Sequence, residues 1–480
     1  MHAGEASRPA SKLGLVVSCV VAAAAAAWAQ GCASKGSGPP SGGSGGVVAG
    51  AGGGAGETGA GGSGPGGAAA TGGAGGSVSS GGGGDPGPGT GGAVATGGVT
   101  GSGGVGGGVG GSPGVLAPTS LAVRFANAVM TRWPDPKSIT LANAWEYNHG
   151  IVLRGIEQVY RHTGDARYLA YIQRYADEFV SAAGVVSLPA EHSFDNIQPS
   201  VLLPFLYQQT GAAKYRIAAD QIRARYDTIP RNADGGFWHK QIYPNQMWLD
   251  GAYMALPFLA RYGATLGTCG AFCNDTVAQQ LLLVGNHVRD PATGLLYHAW
   301  DDSAAGAKAP WANAGTGRSP VVWGRAMGWY AMALVDILGD LPASHVSRGD
   351  LLGLLTGMAS ALQATQDPAS GLWFQVVDQG ARSDDWTETS GTGMLVYALK
   401  VAVDRGYIAS SYLTVASRGW QALQTKVTTD IAGTPTITGA VQGMGVQVDY
   451  AGYINQLPTL SNSPHGLCAI LLAASEMEAR

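Results

Sequence analysis

Asp250 lies in the stretch Asn245-Gln246-Met247-Trp248-Leu249-Asp250-Gly251-Ala252-Tyr253-Met254, where a polar, aromatic segment gives way to the apolar run Tyr253 to Leu259. A carboxyl group beside an indole and at the edge of an apolar run loses solvation. That raises its pKa and makes it a candidate proton donor. The competing reading is that Asp250 caps the following helix, because Asp is among the favoured N-cap residues.

The surroundings of Asp250 recur. Three loops, Asp234 to His239, Asp290 to His298 and Asp367 to Gln375, each combine a Gly-containing turn with a short aromatic, strand-like piece. Each leads to a Trp-headed polar cluster that opens an apolar run: Trp248-Leu249-Asp250, Trp323-Gly324-Arg325 and Trp386-Thr387-Glu388. Three copies would gather aromatic and ionisable side chains at one end of whatever array carries them. Ten of the chain's 12 Trp fall between Trp145 and Trp420, nearly all in these loops. Flat apolar rings with a few polar groups between them suit the faces and hydroxyls of a sugar.

The elements that must position these groups are helices. Ile151 to Tyr160, Tyr168 to Val180, Gln198 to Gln209 and Tyr215 to Tyr226 place apolar residues three or four apart. Gly at positions 164, 211, 263, 339 and 406 marks expected helix ends. The intervals leave room for one helical hairpin plus a loop, which predicts either a solenoid or a closed α/α toroid.

Composition divides the chain in three. Arg8 and Lys12 precede an apolar run from Leu13 to Ala29, so residues 1 to 32 read as an export signal. Ala29-Gln30-Gly31-Cys32 resembles a bacterial lipobox, which would put a lipid anchor on Cys32; a plain signal peptide is the alternative. Residues 33 to 115 hold 40 of the chain's 77 Gly, with only Lys35, Glu57 and Asp85 charged. Such a segment cannot offset its backbone entropy by burial and is expected to be a flexible, disordered linker, with a reach on the order of 50 Å. Residues 116 to 480 form the working domain. A net charge of −4 without basic runs argues against a nucleic-acid partner. Cys269 and Cys273 are four apart, a spacing that leaves a disulfide open, and Cys468 in an apolar run reads as a buried thiol.

Trp248-Leu249-Asp250-Gly251, Trp323-Gly324-Arg325 with Gly328-Trp329, Trp386-Thr387-Glu388-Thr389-Ser390-Gly391 and Pro464-His465-Gly466, in this order, resemble the unsaturated rhamnogalacturonyl hydrolases of glycoside hydrolase family 105, relatives of the family 88 unsaturated glucuronyl hydrolases. The resemblance spans residues 120 to 480. It implies an all-α (α/α)6 barrel with short β pieces in loops at one end, no metal and no cofactor. It also implies that the substrate is an unsaturated pectin oligosaccharide, whose terminal 4,5-unsaturated galacturonyl residue is protonated at C4 and hydrated at C5. The resulting hemiketal then opens and releases the remaining sugar. No covalent glycosyl-enzyme is needed, so the spacing rule for paired carboxylates does not apply.

By position, Asp250 matches the general acid/base of that family. Asp195, in Ser193-Phe194-Asp195-Asn196, matches a second carboxylate that would raise the pKa of Asp250 if close and ionised, a helix cap being the alternative. Lys240 and Arg325 are expected to hold the substrate carboxylate, His298 to make a polar sugar or water contact, and Trp248 and Tyr147 to form stacking walls. The competing functions are an unsaturated glucuronyl hydrolase on other lyase products and a surface glycan-binding protein. Oligomeric state leaves no signal in the sequence.

Overall fold

The computed structural model describes residues 114 to 480. The export signal, Cys32 and all of the Gly-rich linker except its last two residues lie outside the described residues. Those two already engage the domain. Val115 donates its N–H to Arg480 O (2.9 Å), and His162 Nδ1 lies 2.6 Å from Gly114 O.

Twelve helices make six hairpins: α1 (Leu121–Arg132), α2 (Tyr147–Thr163), α3 (Ala166–Phe179), α4 (Leu202–Thr210), α5 (Ala213–Arg225), α6 (Leu249–Leu266), α7 (Gly270–Val288), α8 (Gly324–Asp340), α9 (Arg348–Thr365), α10 (Thr389–Asp404), α11 (Tyr412–Gln424) and, after the short α12 (Tyr450–Asn455), α13 (Pro464–Glu478). Consecutive helices pair from α2 to α11, and α13 pairs with α1. An inner ring closes through α2, α4 with its preceding 3-10 turn Gln198–Val201, α6, α8, α10, α13 and back to α2. This is the (α/α)6 barrel that the motif order implies.

The two rings differ in sequence for a physical reason. Outer helix α3 has solvent on one side and buries Tyr168, Tyr171, Ile172, Tyr175 and Ala176, a single stripe at three-to-four spacing. Inner helix α6 is packed on all sides and buries nearly its whole length from Leu249 to Tyr262. Close approach between inner helices needs small residues: a Cβ on Gly393 of α10 would sit 2.7 Å from Cβ of Ala469 in α13.

The predicted helix ends at Gly164 and Gly211 hold, both in the left-handed region as αL caps. Gly406 follows the end of α10 with φ 68°. Gly263 and Gly339 are different. Helix α6 runs past Gly263 to a cap at Gly267, and α8 continues through Gly339 to Asp340. At Gly263 a Cβ would meet Cys273 Cβ at 2.9 Å, and at Gly339 it would strike the Arg405 guanidinium, so both are packing positions. Cys269 and Cys273 are joined as a disulfide, and Cys468 is a buried free thiol.

Strand structure is confined to loops. Strand β1 (Gln246–Trp248) pairs antiparallel with β2 (Ala299–Asp301), setting Trp248 opposite Ala299. Two further two-stranded pieces join β3 (Val427–Thr429) to β4 (Pro435–Ile437) and β5 (Ala440–Val441) to β6 (Thr459–Leu460). Asp234, Asp290 and Asp367 each accept from the backbone N–H two residues on. The second and third loops then make the same turn, with Gly294 and Gly371 at positive φ donating to the carbonyls of Asp290 and Asp367, whereas in the first loop the Gly at positive φ is Gly235, which donates to Asn232 O.

Candidate active site

All six inner segments begin at the same end of the barrel, and each contributes a polar side chain at or next to its first turn: Tyr147 (α2), Asp195 (3-10 turn Phe194–Asn196), Asp250 (α6), Arg325 (α8), Glu388 (cap of α10) and His465 (α13). The fold thus brings together Tyr147, Asp195, Lys240, Trp248, Asp250, His298 and Arg325, which are scattered over 178 residues of sequence. Tyr147 feels the charges of Asp195, Arg325 and Asp250, and its phenol is raised by burial first and by those carboxylates second.

Asp250 is the second residue of α6, whose N-cap is Trp248, so it does not cap the helix. Its Oδ2 lies 2.9 Å from Nε2 of the fully buried His298, which follows the second aromatic loop. Burial pushes the Asp250 carboxyl up, but His298, with smaller help from His239 and Arg325, outweighs it and holds Asp250 below the usual carboxylate range. Two expectations change here. The apolar setting does not leave Asp250 with a raised pKa, because a hydrogen-bonded imidazole faces it. Nor is Asp195 the group that tunes it: the Asp195 carboxylate pairs with Lys240, and Asp195 is not among the groups that shift Asp250.

Lys240 is held in place by that pair. Burial alone would lower its ammonium, and Asp195 more than compensates, leaving it above its ordinary value. Arg325 is fully buried with its guanidinium 4.6 Å from the Trp323 ring. Its Nη1 donates to Val441 O (2.6 Å) and Ser390 Oγ (3.3 Å), and its Nη2 to Gln442 O (2.8 Å). Nε remains buried without a partner. Arg325 therefore ties β5 and the Gly-rich segment after it to the mouth of the barrel. Glu388 completes that tie, accepting from Val441 N (2.9 Å), Ser390 Oγ (2.7 Å) and Gly391 N (2.5 Å). In this third copy of the Trp-led cluster the acidic residue is indeed a cap.

The segment so anchored passes over the pocket. Gly443 faces the Tyr147 hydroxyl and His465, and Gly445 faces Trp248. Tyr147 Oη and His465 Nε2 are 3.3 Å apart. Trp248 is less free than a bare stacking wall, because His239 and Tyr243 both lie nearly parallel to it, at 4.5 and 4.9 Å. Burial, reinforced by Lys240, holds the His239 imidazole well below its ordinary value.

Sequence reasoning passed over His239, Glu388, His465 and Tyr453 as site residues. His465 and Glu388 stood inside recognised motifs, and His239 ends the first aromatic loop, so a signal existed for each. Tyr453 has none; only the fold brings it to His298. Among the described residues, no group of three or more His, Cys, Asp or Glu side chains is placed to hold a metal ion, and no helix is long and apolar enough to cross a membrane.

The fold that carries this site has counterparts among known proteins. The family model for Glycosyl Hydrolase Family 88 matches residues 121–480. The structure of a family 105 glycoside hydrolase from C. acetobutylicum ATCC 824 superposes with a TM-score of 0.70 at 36% identity, over 75% of this chain and 100% of that one. The chain belongs to the family 88 and 105 glycoside hydrolases. It is also 28% identical to the unsaturated rhamnogalacturonyl hydrolase YesR of Bacillus subtilis, over 53% of this chain and 70% of that protein. An unsaturated glucuronyl hydrolase of Bacillus sp. GL1 shares the fold at 14% identity and a TM-score of 0.54.

Proposed function

We propose that this hydrolase removes the 4,5-unsaturated galacturonyl residue from the non-reducing end of rhamnogalacturonan oligosaccharides by hydrating its vinyl ether. The observation that carries the reading is the setting of Asp250: a part-buried carboxylate with one ionisable hydrogen-bond partner, His298, at a mouth ringed by the N-termini of inner helices. Those N-termini favour an anionic ligand, and the substrate is an anionic uronate.

In this mechanism Asp250 gives a proton to C4. Positive charge develops at C5 and the ring oxygen, and the same carboxylate, now ionised, takes a proton from the water that attacks C5. The hemiketal opens to a ketone, and the C1 hemiacetal so formed expels the remaining sugar. An acid held below the usual range must first acquire its proton. The substrate supplies the means: its carboxylate brings a like charge to the pocket and its ring excludes water, and both raise a neighbouring carboxyl. Proton uptake is thereby coupled to binding. Lys240 and Arg325 offset the substrate's charge, Asp195 holds Lys240 and meets sugar hydroxyls, and Tyr147 and Trp248 border the ring.

The test is to incubate the purified protein with unsaturated rhamnogalacturonan disaccharide and follow the vinyl-ether absorbance. Loss of the band is expected. Unchanged absorbance with every unsaturated uronide would overturn the enzyme reading, binding without turnover would point to a glycan-binding protein, and selective turnover of glucuronyl products would move the substrate to that class.

For location, we propose an exported protein tethered through lipid on Cys32. Its support is the signal-like composition of residues 1 to 32 and the site where the tether joins. Gly114 and Val115 meet His162 and Arg480, at the C-terminal ends of α2 and α13, roughly 20 to 25 Å of helix from the mouth. Lipid labelling that survives Cys32→Ala would rule the anchor out.

A further inference from the structure

Tyr453 is a fully buried phenol on α12 that no step above uses. Its Oη lies 2.7 Å from His298 Nδ1, while the opposite ring nitrogen, Nε2, lies 2.9 Å from Asp250 Oδ2. The backbone N–H of Gln447 donates into the same Oη at 3.3 Å. Tyr453 is itself held: Gln375 Nε2 donates to its carbonyl (3.0 Å), and Gln375 Oε1 accepts from Trp323 Nε1 (3.1 Å).

We infer that Tyr453 is a positioning residue that fixes the tautomer of His298, so that whenever the imidazole is neutral it presents Nε2–H to Asp250. The argument is a count of hydrogens. A phenol has one hydrogen to give. An amide N–H cannot accept, so Gln447 must donate to Oη, and the phenolic hydrogen is left for His298 Nδ1. With Nδ1 accepting, the ring's proton sits on Nε2 and is donated to Asp250. The opposite tautomer would leave a buried O–H with no acceptor and set a bare nitrogen lone pair against a carboxylate oxygen, two penalties for one exchange. Burial, above all, raises the Tyr453 phenol, so it keeps the hydrogen that this arrangement requires.

The consequence for the reaction rests on the proposed role of Asp250. Its carboxyl is faced by His298, His239, Lys240, Arg325 and Tyr147, with Tyr453 behind His298. Among these, His298 makes its side-chain hydrogen bond and Tyr453 decides which form of that bond exists. Removing the Tyr453 hydroxyl frees the ring to place its proton on either nitrogen. Asp250 then loses a fixed donor that holds its carboxyl down, so the alkaline limb of the pH profile, where the acid must still carry its proton, moves to higher pH.

The test has a spectroscopic arm that needs neither a Tyr453 variant nor substrate. In the full chain labelled with 15N-histidine, long-range proton couplings report the tautomer of each ring, and His298→Gln assigns the resonance. The neutral Nε2–H form is expected for His298; the Nδ1–H form would overturn the inference. In the kinetic arm, Tyr453→Phe is expected to lower kcat by about 30-fold, within the range of acid–base contributions, with KM changed by less than about threefold. The same substitution in a His298→Gln background should cost less than about twofold, because an amide has no tautomer to set. An equal loss in both backgrounds would make Tyr453 a packing residue only. If no unsaturated uronide is turned over, the proposed activity fails while the tautomer measurement still decides this inference.

Discussion

Glu157 and Asp250 are carboxylates on inner helices, one fully buried deep in the barrel and one part-buried at its mouth. Glu157, on α2, is met by Arg161 at 2.6 Å, Arg261 at 3.0 Å and Arg154 at 3.7 Å, and these guanidiniums overcome burial to hold it at about pKa 2. Asp250 has a single imidazole at hydrogen-bond distance and more remote help from His239 and Arg325. A buried charge surrounded by three opposite charges is locked into one protonation state. One that depends on a single titratable neighbour can change state when a ligand alters its surroundings. The deep cluster therefore reads as structure, and the mouth as chemistry.

The sharpest way to break that contrast is to remove each charge in turn. Glu157→Gln removes the carboxylate shared by three guanidiniums, of which Arg154 keeps Asp336 at 3.7 Å, and is expected to cost about 3–5 kcal/mol, or roughly 5 °C in Tm, leaving kcat per folded molecule unchanged. A variant as stable as wild type by calorimetry would show that the deep cluster does not hold the barrel together. The pH dependence of stability follows from the same group. Its folded pKa of about 2 lies below the ordinary 4.5, so its contribution, on the order of 3 kcal/mol, is complete above pH 4.5 and is lost as pH falls toward 2. Acid unfolding of Glu157→Gln should lack that component.

At the mouth the expected effects are smaller in stability and larger in rate. Arg325→Lys keeps the charge but cannot reproduce bonds to Val441 O and Gln442 O from one planar fork, so kcat/KM should fall about tenfold. Amide exchange in residues 441 to 447 should quicken with it; unchanged exchange would detach Arg325 from that segment. Coupling of proton uptake to binding predicts that the alkaline limb of kcat lies at higher pH than that of kcat/KM, since the first reports Asp250 with substrate bound and the second without. Coincident limbs would refute the coupling. The smallest effect belongs to Gly443→Ala: its Cβ would sit 3.1 Å from the Tyr147 hydroxyl, so KM is expected to rise a few-fold (roughly 1 kcal/mol or less) with Tm nearly unchanged.

The fold was legible because its cause is periodic. Apolar spacing in α3 and α5 and the Gly caps at 164 and 211 are local signals, and the aromatic loops at Asp290 and Asp367 repeat one turn. Gly263 and Gly339 misled because glycine also marks tight helix contacts, and nothing local separates the two uses. The site was legible in its members and not in their connections. Asp250, Asp195, Lys240 and Arg325 each carry a residue type suited to the chemistry. That Lys240 pairs with Asp195, that Arg325 holds backbone carbonyls and that Tyr453 stands behind His298 depends on separations of 45, 116 and 155 residues, which only ring closure brings together. The pKa of Asp250 turned on His298, 48 residues away, so its direction was misjudged from its apolar neighbours.

The central claim is that Asp250 carries the proton to the vinyl ether. The direct measurement compares wild type and Asp250→Asn on unsaturated rhamnogalacturonan disaccharide under single-turnover conditions, reading the loss of vinyl-ether absorbance, with KM and Tm determined for both. The account predicts a rate loss of about 10³-fold or more, KM within a few-fold of wild type, and only a small fall in Tm, because Asn keeps the shape and an acceptor for His298 while losing the charge that His298 favours. An Asn variant that turns over within about tenfold of wild type would contradict it.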